Sequence, residues 1–469
     1  MWACLSRKYW RMSATCTLTG AGLMSIGLSG APTVYPTGTT IYHPDKTWSG
    51  YTVFLTPDTD GIVVVIDMNG RVVKQWSGLS GAAGGPARIL PGGSVIAGAG
   101  NGAPHQESPA LVQLDWNGKE TWRFDRAEQI QDANGTMTWS ARQHHDWQRP
   151  GLAAGYYAPG PPPPLANVPT LVLSHTNLIN AQVSDRRLED DRLIEVSWDG
   201  KILWEWRASD HVDELGFSSE ARTVIRQALG FSRPRDSYDW LHINAASYVG
   251  PNRWSDAGDA RFAPDNVLIS SREASIIAIV GRNGKIAWRM GPDYRDSDVL
   301  RKLGQIIGQH NPHIIPKGLS GAGNLLVFDN GGASGYGSAN PAAPDGRDAF
   351  RRGSSRVVEV NPVTFEKVWE YSIGGAESYR FFSHYVSGAQ RLPNGTTMIT
   401  EGADGRIFEV TPAGEIVWEY VSPYFTPNGM TNRVYRAYRL PYDWIPQLER
   451  PAERAVIPPN VRDFRVPSQ

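Results

Sequence analysis

The sequence predicts an all-β fold: a six-bladed β-propeller with loop and short helical insertions. Three observations carry this. A strand–turn–strand pattern closing on tryptophan occurs six times, in residues 66–76, 114–122, 196–204, 280–288, 360–369 and 410–418. Most of its turns hold Asn, Asp or Gly, residues that tolerate φ > 0 in tight hairpins. The closing residues Trp76, Trp122, Trp204, Trp288, Trp369 and Trp418 are spaced by 46, 82, 84, 81 and 49 residues. The short spacings suit a bare four-stranded unit, and the long ones that unit plus an insertion. The composition agrees, with 49 Gly, 34 Pro and 17 Trp and few long helical patterns. Each tryptophan is expected to pack between neighbouring blades, where a large aromatic buries most area. An elongated β-sandwich array is the alternative architecture.

At 469 residues the chain can bury a sizeable core. The reading divides it into residues 1–31, a propeller over 32–440, and a tail over 441–469 packed on the surface. The first thirty residues carry Lys8 and Arg11, then a mildly apolar run with small residues at its end. They read either as a signal peptide, which would make the protein periplasmic or secreted, or as a disordered leader of a cytoplasmic protein. No later segment is long and apolar enough to span a bilayer. A net charge of −1 with both signs interspersed argues against a nucleic-acid partner. The only cysteines, Cys4 and Cys16, leave the body of the chain without a disulfide framework, a Cys nucleophile or a Cys-based metal site.

The insertions differ in character. Residues 151–169 form a Pro-rich surface excursion, and residues 218–229 carry the one clear helical pattern. Residues 249–264 and 332–353 read as Gly-, Asp- and Arg-rich loops. The segment 35–56 is expected to supply an outer strand closing the ring against the last blade, and the Pro-rich tail after Arg439 to lie over the surface.

A second repeat carries the chemistry. A histidine precedes or opens the first strand of four units: His144-His145, His242, His310 and His384. If these strands line one axis, the histidines converge. Asn244 lies two residues after His242 and shares its strand face. Arg272 ends the following strand, so a return hairpin brings it to the same rim. His313, three residues after His310, faces away. His43, His105, His175 and His211 fall outside the repeat position and read as structural.

Imidazole serves as nucleophile, acid, base or metal ligand. A guanidinium offers a fixed, charged fork for an oxyanion. An arginine among neutral imidazoles favours transfer of an anionic group, whereas histidines alone would favour a metal. The sequence holds no phosphate-binding loop of the G-x-x-x-x-G-K-[ST] type, so no nucleoside phosphate donor is indicated.

Taken together, His242-I-N with the strand ending at Arg272, R-N-G-K-I-A-W-R-M-G, Gln309-His310 leading to L-L-V-F-D-N-G, and Gln390-R-L-P-N-G with G-R-I-F-E-V-T-P-A-G-E-I-V-W-E-Y resemble the bacterial arylsulfate sulfotransferases. The resemblance covers most of residues 36–425. It implies a six-bladed propeller that moves a sulfuryl group from an aryl sulfate donor to a phenol by a ping-pong route, with no cofactor. It further implies His310 as the nucleophile that becomes sulfohistidine, with His242 and Arg272 on the sulfate oxygens. A histidine of the pair His144 and His145 would assist, and Asn244 would add a hydrogen bond. His384 is a further substrate-binding candidate. Two other readings stay open at this point: a propeller lyase or oxygenase with a histidine-bound metal, and a non-catalytic interaction propeller. Tyr156, Tyr157, Trp240 and Tyr379 are candidates for stacking on substrate rings.

Overall fold

The structure is a computed structural model that describes residues 36–57, 61–79, 85–100, 107–131, 135–228 and 237–458. The leader reading for residues 1–31, His105 and Leu229 lie outside the described residues. Six blades, each with four antiparallel strands, follow one another around a ring, and the third and sixth each gain a fifth strand, that of the third, Tyr238–Asp239, pairing parallel to Leu188–Val196. The second blade runs outward from Arg88–Ile89 through Val95–Ala99 and Ala110–Leu114 to Glu120–Phe124. The third begins at Gln143–Gln148, the fourth at Ile243–Tyr248, the fifth at His310–Ile314 and the sixth at Gly388–Arg391. These inner strands sit side by side around the axis.

The ring is closed at two radii. Gly38–Tyr42 pairs with Ile416–Val421 as a fifth, outermost strand on the sixth blade. Tyr51–Leu55, in the same N-terminal segment, belongs instead to the first blade. The innermost strand of that first blade comes from the far end of the chain, Tyr438–Leu440. Sequence patterning did not place this short strand, because three residues carry no readable alternation. Beyond it the chain stays against the ring: Ile445 is fully buried, Trp444 donates its indole N–H to Ile89 O, and Val456 bridges to Tyr42.

The six repeated tryptophans do one thing in common. Each indole N–H donates to a backbone carbonyl in the hairpin turn of the next blade: Trp76 to Asp115, Trp122 to Trp198, Trp204 to Arg282, Trp288 to Pro362, Trp369 to Pro412, and Trp418 back to Met68. The last of these crosses the ring closure. A tight turn leaves a carbonyl unpaired by its own sheet, and an indole has one donor and no acceptor. The turn and the tryptophan are therefore the two halves of one inter-blade contact.

Two of the predicted loops have more structure than their composition suggested. Residues 332–353 contain a hairpin, Gly332–Tyr336 with Arg347–Arg352. Residues 249–264 contain the short helix Arg253–Asp256, capped by Asn252. The helical insertion is Ser219–Gln227, capped by Ser218. Residues 151–169 are only partly a surface excursion: Pro159 to Pro162 are exposed, but Tyr156 is buried near the axis, stacked on Tyr438 with ring centroids 4.1 Å apart.

Candidate active site

Three inner strands start with the same distortion. His145, His242 and Asn311 have φ of 55°, 51° and 51°, the left-handed region that costs a non-glycine residue about 1 kcal/mol. In each case the pairing register with the next strand shifts at that point, between Gln143 and Trp147, Ile243 and Ala245, and His310 and His313. A bulge of this kind turns a side chain out of the regular alternation. Here it aims imidazoles at the mouth of the channel, and it repeats in three consecutive blades.

His310 is buried, at 2 % exposure. Its Nδ1 lies 2.8 Å from Asn330 Oδ1 and 3.1 Å from the Gly308 carbonyl. The Asn330 amide is held by donating Nδ2–H to Ser383 O and Val386 O, so its oxygen must face the imidazole. Both partners of Nδ1 are acceptors. Nδ1 therefore carries the proton, and Nε2, which has no protein partner, carries the lone pair. Burial is the largest cause holding the His310 pKa well below its ordinary value. The charges of Arg272, Arg436 and His242 add to it, against the opposing Asn330 bond. The ring is neutral at neutral pH.

Arg272 extends past Gly308: a Cβ on that glycine would lie 3.9 Å from Arg272 Cγ. The guanidinium donates to Glu273, which also accepts from Arg347 at 3.0 Å. Burial alone would raise the Glu273 carboxyl, but the two arginines outweigh it and keep the group ionised. The hairpin over 332–353 thus supplies the Arg347 that fixes the partner of Arg272.

His242 donates Nδ1–H to Asp239 Oδ2 at 2.6 Å. Burial would raise Asp239, but the nearby charge of His242, its hydrogen bond, and the charges of His175 and Arg347 bring it below the usual carboxylate range. His145 sits beside His242, with ring centroids 4.8 Å apart. Its pKa is held well down by burial first and then by His242 and His310. His144 turns the opposite way. It stacks on His175 at 3.6 Å, with the planes 14° apart, and Nε2 approaches Asp191 Oδ1 at 3.5 Å. The left-handed bulge at His145 separates the pair, so His145 lies against His242 and His144 against His175. The two share one contact, Nδ1 to Nδ1 at 2.8 Å.

Asn244 is fully buried and donates Nδ2–H to Gln309 O at 2.8 Å, gripping the backbone just before His310. His384 lies apart from the close imidazole contacts, ahead of its strand. Its ring is 4.6 Å from that of Tyr385, and its Cβ crowds the space over Gly332. His313 is buried and points along the axis toward Gly155, and burial pulls its pKa down to about 4. His175 reads in sequence as structural. It occupies the strand Thr170–Leu178 behind His144 and bonds Glu107, which Arg142 also binds. Of the aromatic candidates, Trp240 is fully buried, with its indole on Asp190, and Tyr156 accepts from Arg436. Neither is placed to meet a substrate ring. Tyr157 packs on Trp48 and Trp444, and Tyr379 is 70 % exposed.

Sequence reasoning missed the partners supplied by other segments. Asn330 was visible only as part of a D-N-G turn. Tyr435 and Arg436 precede the closing strand. Tyr435 donates to Asn244 O, with its ring 5.8 Å from that of His145. Arg436 and Arg88 both bind the single carboxylate of Asp146, at 3.3 Å each, which leaves a net positive charge buried beneath the histidines. A floor of this sign suits a bound anion.

The arylsulfotransferase (ASST) family model matches residues 164–422, more than half of the chain, covering the three outer strands of the third blade and the fourth to sixth blades. This protein belongs to the arylsulfotransferase family. That membership supports aryl sulfotransferase activity in general and fits small-molecule substrates. No curated protein matches the chain. Among solved structures, a Bacteroides caccae protein of unknown function is 11 % identical with a TM-score of 0.40, over 83 % of this chain and 98 % of that one. A streptogramin B lyase is 12 % identical with a TM-score of 0.37, over 86 % and 94 %. Virginiamycin B lyase from Staphylococcus aureus is 11 % identical with a TM-score of 0.31, over 74 % and 72 %. At these scores the fold assignment rests on the six sheets themselves. No helix among the described residues is long and apolar enough to cross a membrane.

Proposed function

We propose that this arylsulfotransferase moves a sulfuryl group from an aryl sulfate to a phenol through a sulfohistidine on His310. One observation carries the reading: the Nδ1 proton of His310 is pinned by two acceptors, so a neutral Nε2 faces the channel with its lone pair free. In the first half-reaction Nε2 attacks sulfur and the ester S–O bond breaks opposite to it. Arg272 holds the sulfuryl oxygens, whose charge grows as the bond loosens, and His242, doubly protonated between Asp239 and the sulfuryl group, donates Nε2–H to them. His145 protonates the departing phenolate. In the second half-reaction the acceptor phenol gives its proton to His145 and takes the sulfuryl group from His310. Asn244 acts indirectly, by fixing the backbone at Gln309. Tyr435 and Tyr385, half-buried beside His145 and His384, offer aromatic surfaces for the substrate ring.

The test is direct. Intact-mass measurement after incubation with 4-nitrophenyl sulfate and no acceptor is expected to show one sulfuryl adduct, mapped to His310, that a phenol then discharges. Phenol-dependent release of nitrophenolate without any adduct would replace the covalent route with direct transfer.

A further inference from the structure

We propose that Asp191, His144 and His145 form a buried proton relay, in which His145 meets the phenol and the other two supply and recover its proton. The relay rests on the sulfuryl-transfer reading above.

Three contacts define it. His145 Nδ1 faces His144 Nδ1 at 2.8 Å, so one of the two must donate and the other accept. His144 Nε2 faces Asp191 Oδ1 at 3.5 Å, and neither atom has a hydrogen-bond partner although both are fully buried. Two buried orphans that face one another are satisfied by a single shared proton. His145 Nε2 has no protein partner and lies on the side of His242.

The surroundings favour a proton held on the carboxyl. Asp191 is buried among Asp239, Asp190 and Glu189. That burial, and then those charges, raise its pKa well above the ordinary value, against a hydrogen bond from the Ile243 N–H. His144 is held neutral, chiefly by burial and then by its neighbours His175, His145 and His242. At rest, Asp191 donates to His144 Nε2, His144 donates Nδ1–H to His145 Nδ1, and His145 presents Nε2–H to the channel.

When the S–O bond breaks, the phenolate oxygen takes the Nε2 proton of His145. His145 Nδ1 takes the proton of His144 Nδ1, and His144 Nε2 takes that of Asp191. The phenol leaves neutral, both imidazoles end neutral with their protons shifted, and Asp191 ends as a carboxylate. The acceptor phenol restores every position by the reverse path. No imidazolate or imidazolium forms in this pair, which suits a site floored by cationic Arg88 and Arg436.

His144, His175 and Asp191 also bring three ligand atoms within 4.8 Å of one another, the number a metal ion needs. The ring geometry argues for the proton. Nitrogen lone pairs lie in the ring plane, and two rings stacked 3.6 Å apart at 14° send them out nearly parallel. They do not converge at the roughly 2.0–2.1 Å that a bound transition metal requires.

A relay that delivers a proton matters most when the leaving phenol is basic. The experiment therefore compares a series of aryl sulfates, from nitrophenyl to alkyl-substituted phenyl, in the wild type, Asp191→Asn and His144→Phe. Asparagine keeps the shape of Asp191 but cannot release a proton. Phenylalanine keeps the stack on His175 without the nitrogens. Both variants are expected to lose at least about tenfold more rate on the basic leaving groups than on nitrophenyl sulfate, a part of the roughly 10²–10⁴-fold that a general acid contributes. Equal loss across the series, or no loss, would overturn the relay. So would a stoichiometric metal in the wild type that both variants lose. Should a variant fail to fold, a solvent deuterium isotope effect in the wild type decides. It is expected on basic leaving groups and to fade on nitrophenyl sulfate, and its absence overturns the relay. Failure of the wild type to turn over any donor would instead overturn the reaction assignment beneath it.

Discussion

At the scale of single residues, the site is a set of imidazoles whose proton positions are fixed by their partners. Asn330 makes this testable. Replacing Asn330 with Ala removes the nearer of the two acceptors of His310 Nδ1–H, leaving the Gly308 carbonyl at 3.1 Å, and takes from the Val386 carbonyl its Asn330 donor. One hydrogen bond is worth about 0.5–1.5 kcal/mol, so if it acts on the tautomer alone, sulfation of His310 in single-turnover assays is expected to slow by roughly 2- to 13-fold. His310→Gln is expected to abolish the adduct altogether, as read by intact mass. The low pKa of His310 adds a prediction with a definite sign. A depressed value keeps Nε2 unprotonated well into acid, so the acid limb of kcat/KM for the nitrophenyl donor should lie well below the ordinary histidine value of about 6.5. An acid limb at or above that value would mean that His310 is not the group whose protonation stops the reaction. The candidates His310, His242 and the pair His144-His145 were legible because each stands at a repeat position, and Arg272 because it ends the strand that follows His242. Asn330, Asp239, Asp191 and Arg436 were not, since each reaches the site from a turn or strand whose sequence carries no mark of its destination.

At the scale of elements, the repeated tryptophans and the repeated left-handed residue explain why blades of unequal length still meet correctly. Fully buried Trp418 donates to Met68 across the ring closure, whereas Trp369 makes the same bond to Pro412 at an exposed position. Trp→Phe removes the donor and one ring of the indole. The change at Trp418 is expected to cost about 1–3 kcal/mol in chemical denaturation, because it removes the shorter of two bonds to the Met68 carbonyl and leaves space at a fully buried site, and the change at Trp369 under about 1 kcal/mol. The six hairpins with their tryptophans were readable because turn residues and a large aromatic are local signals. The kink at His145, His242 and Asn311 was not, because none of these residues is a glycine and nothing local announces φ > 0 there. For that reason the sequence left the choice between His144 and His145 open. Gly85 marks the same place from outside: at φ 73° a Cβ would lie 2.1 Å from His145 O. Gly85→Ala should therefore lower activity along with stability, through displacement of the His145 backbone.

At the scale of the molecule, the sequence carried the number of blades and their order but not the way the circle is completed. The repeat predicts where each sheet begins and ends. It does not reveal that residues 438–440 pair with residues 51–53 at the axis while residues 38–42 pair with the sixth blade at the rim. The long insertions had composition but no periodicity. Their partly buried roles, Tyr156 under Arg436 and Arg347 on Glu273, depend on contacts more than seventy residues away in sequence.

That double closure sets an order on biogenesis. A polypeptide emerging from the ribosome has made His145, His242, Arg272 and His310 long before it makes Tyr435 and Arg436, which adjoin the last strand to dock. The proposed nucleophile His310 is made early, while Arg436 and the strand that completes the first blade are made together and late. A chain truncated before Tyr435 is therefore expected to lose sulfuryl transfer together with ring closure, as read by the same intact-mass assay.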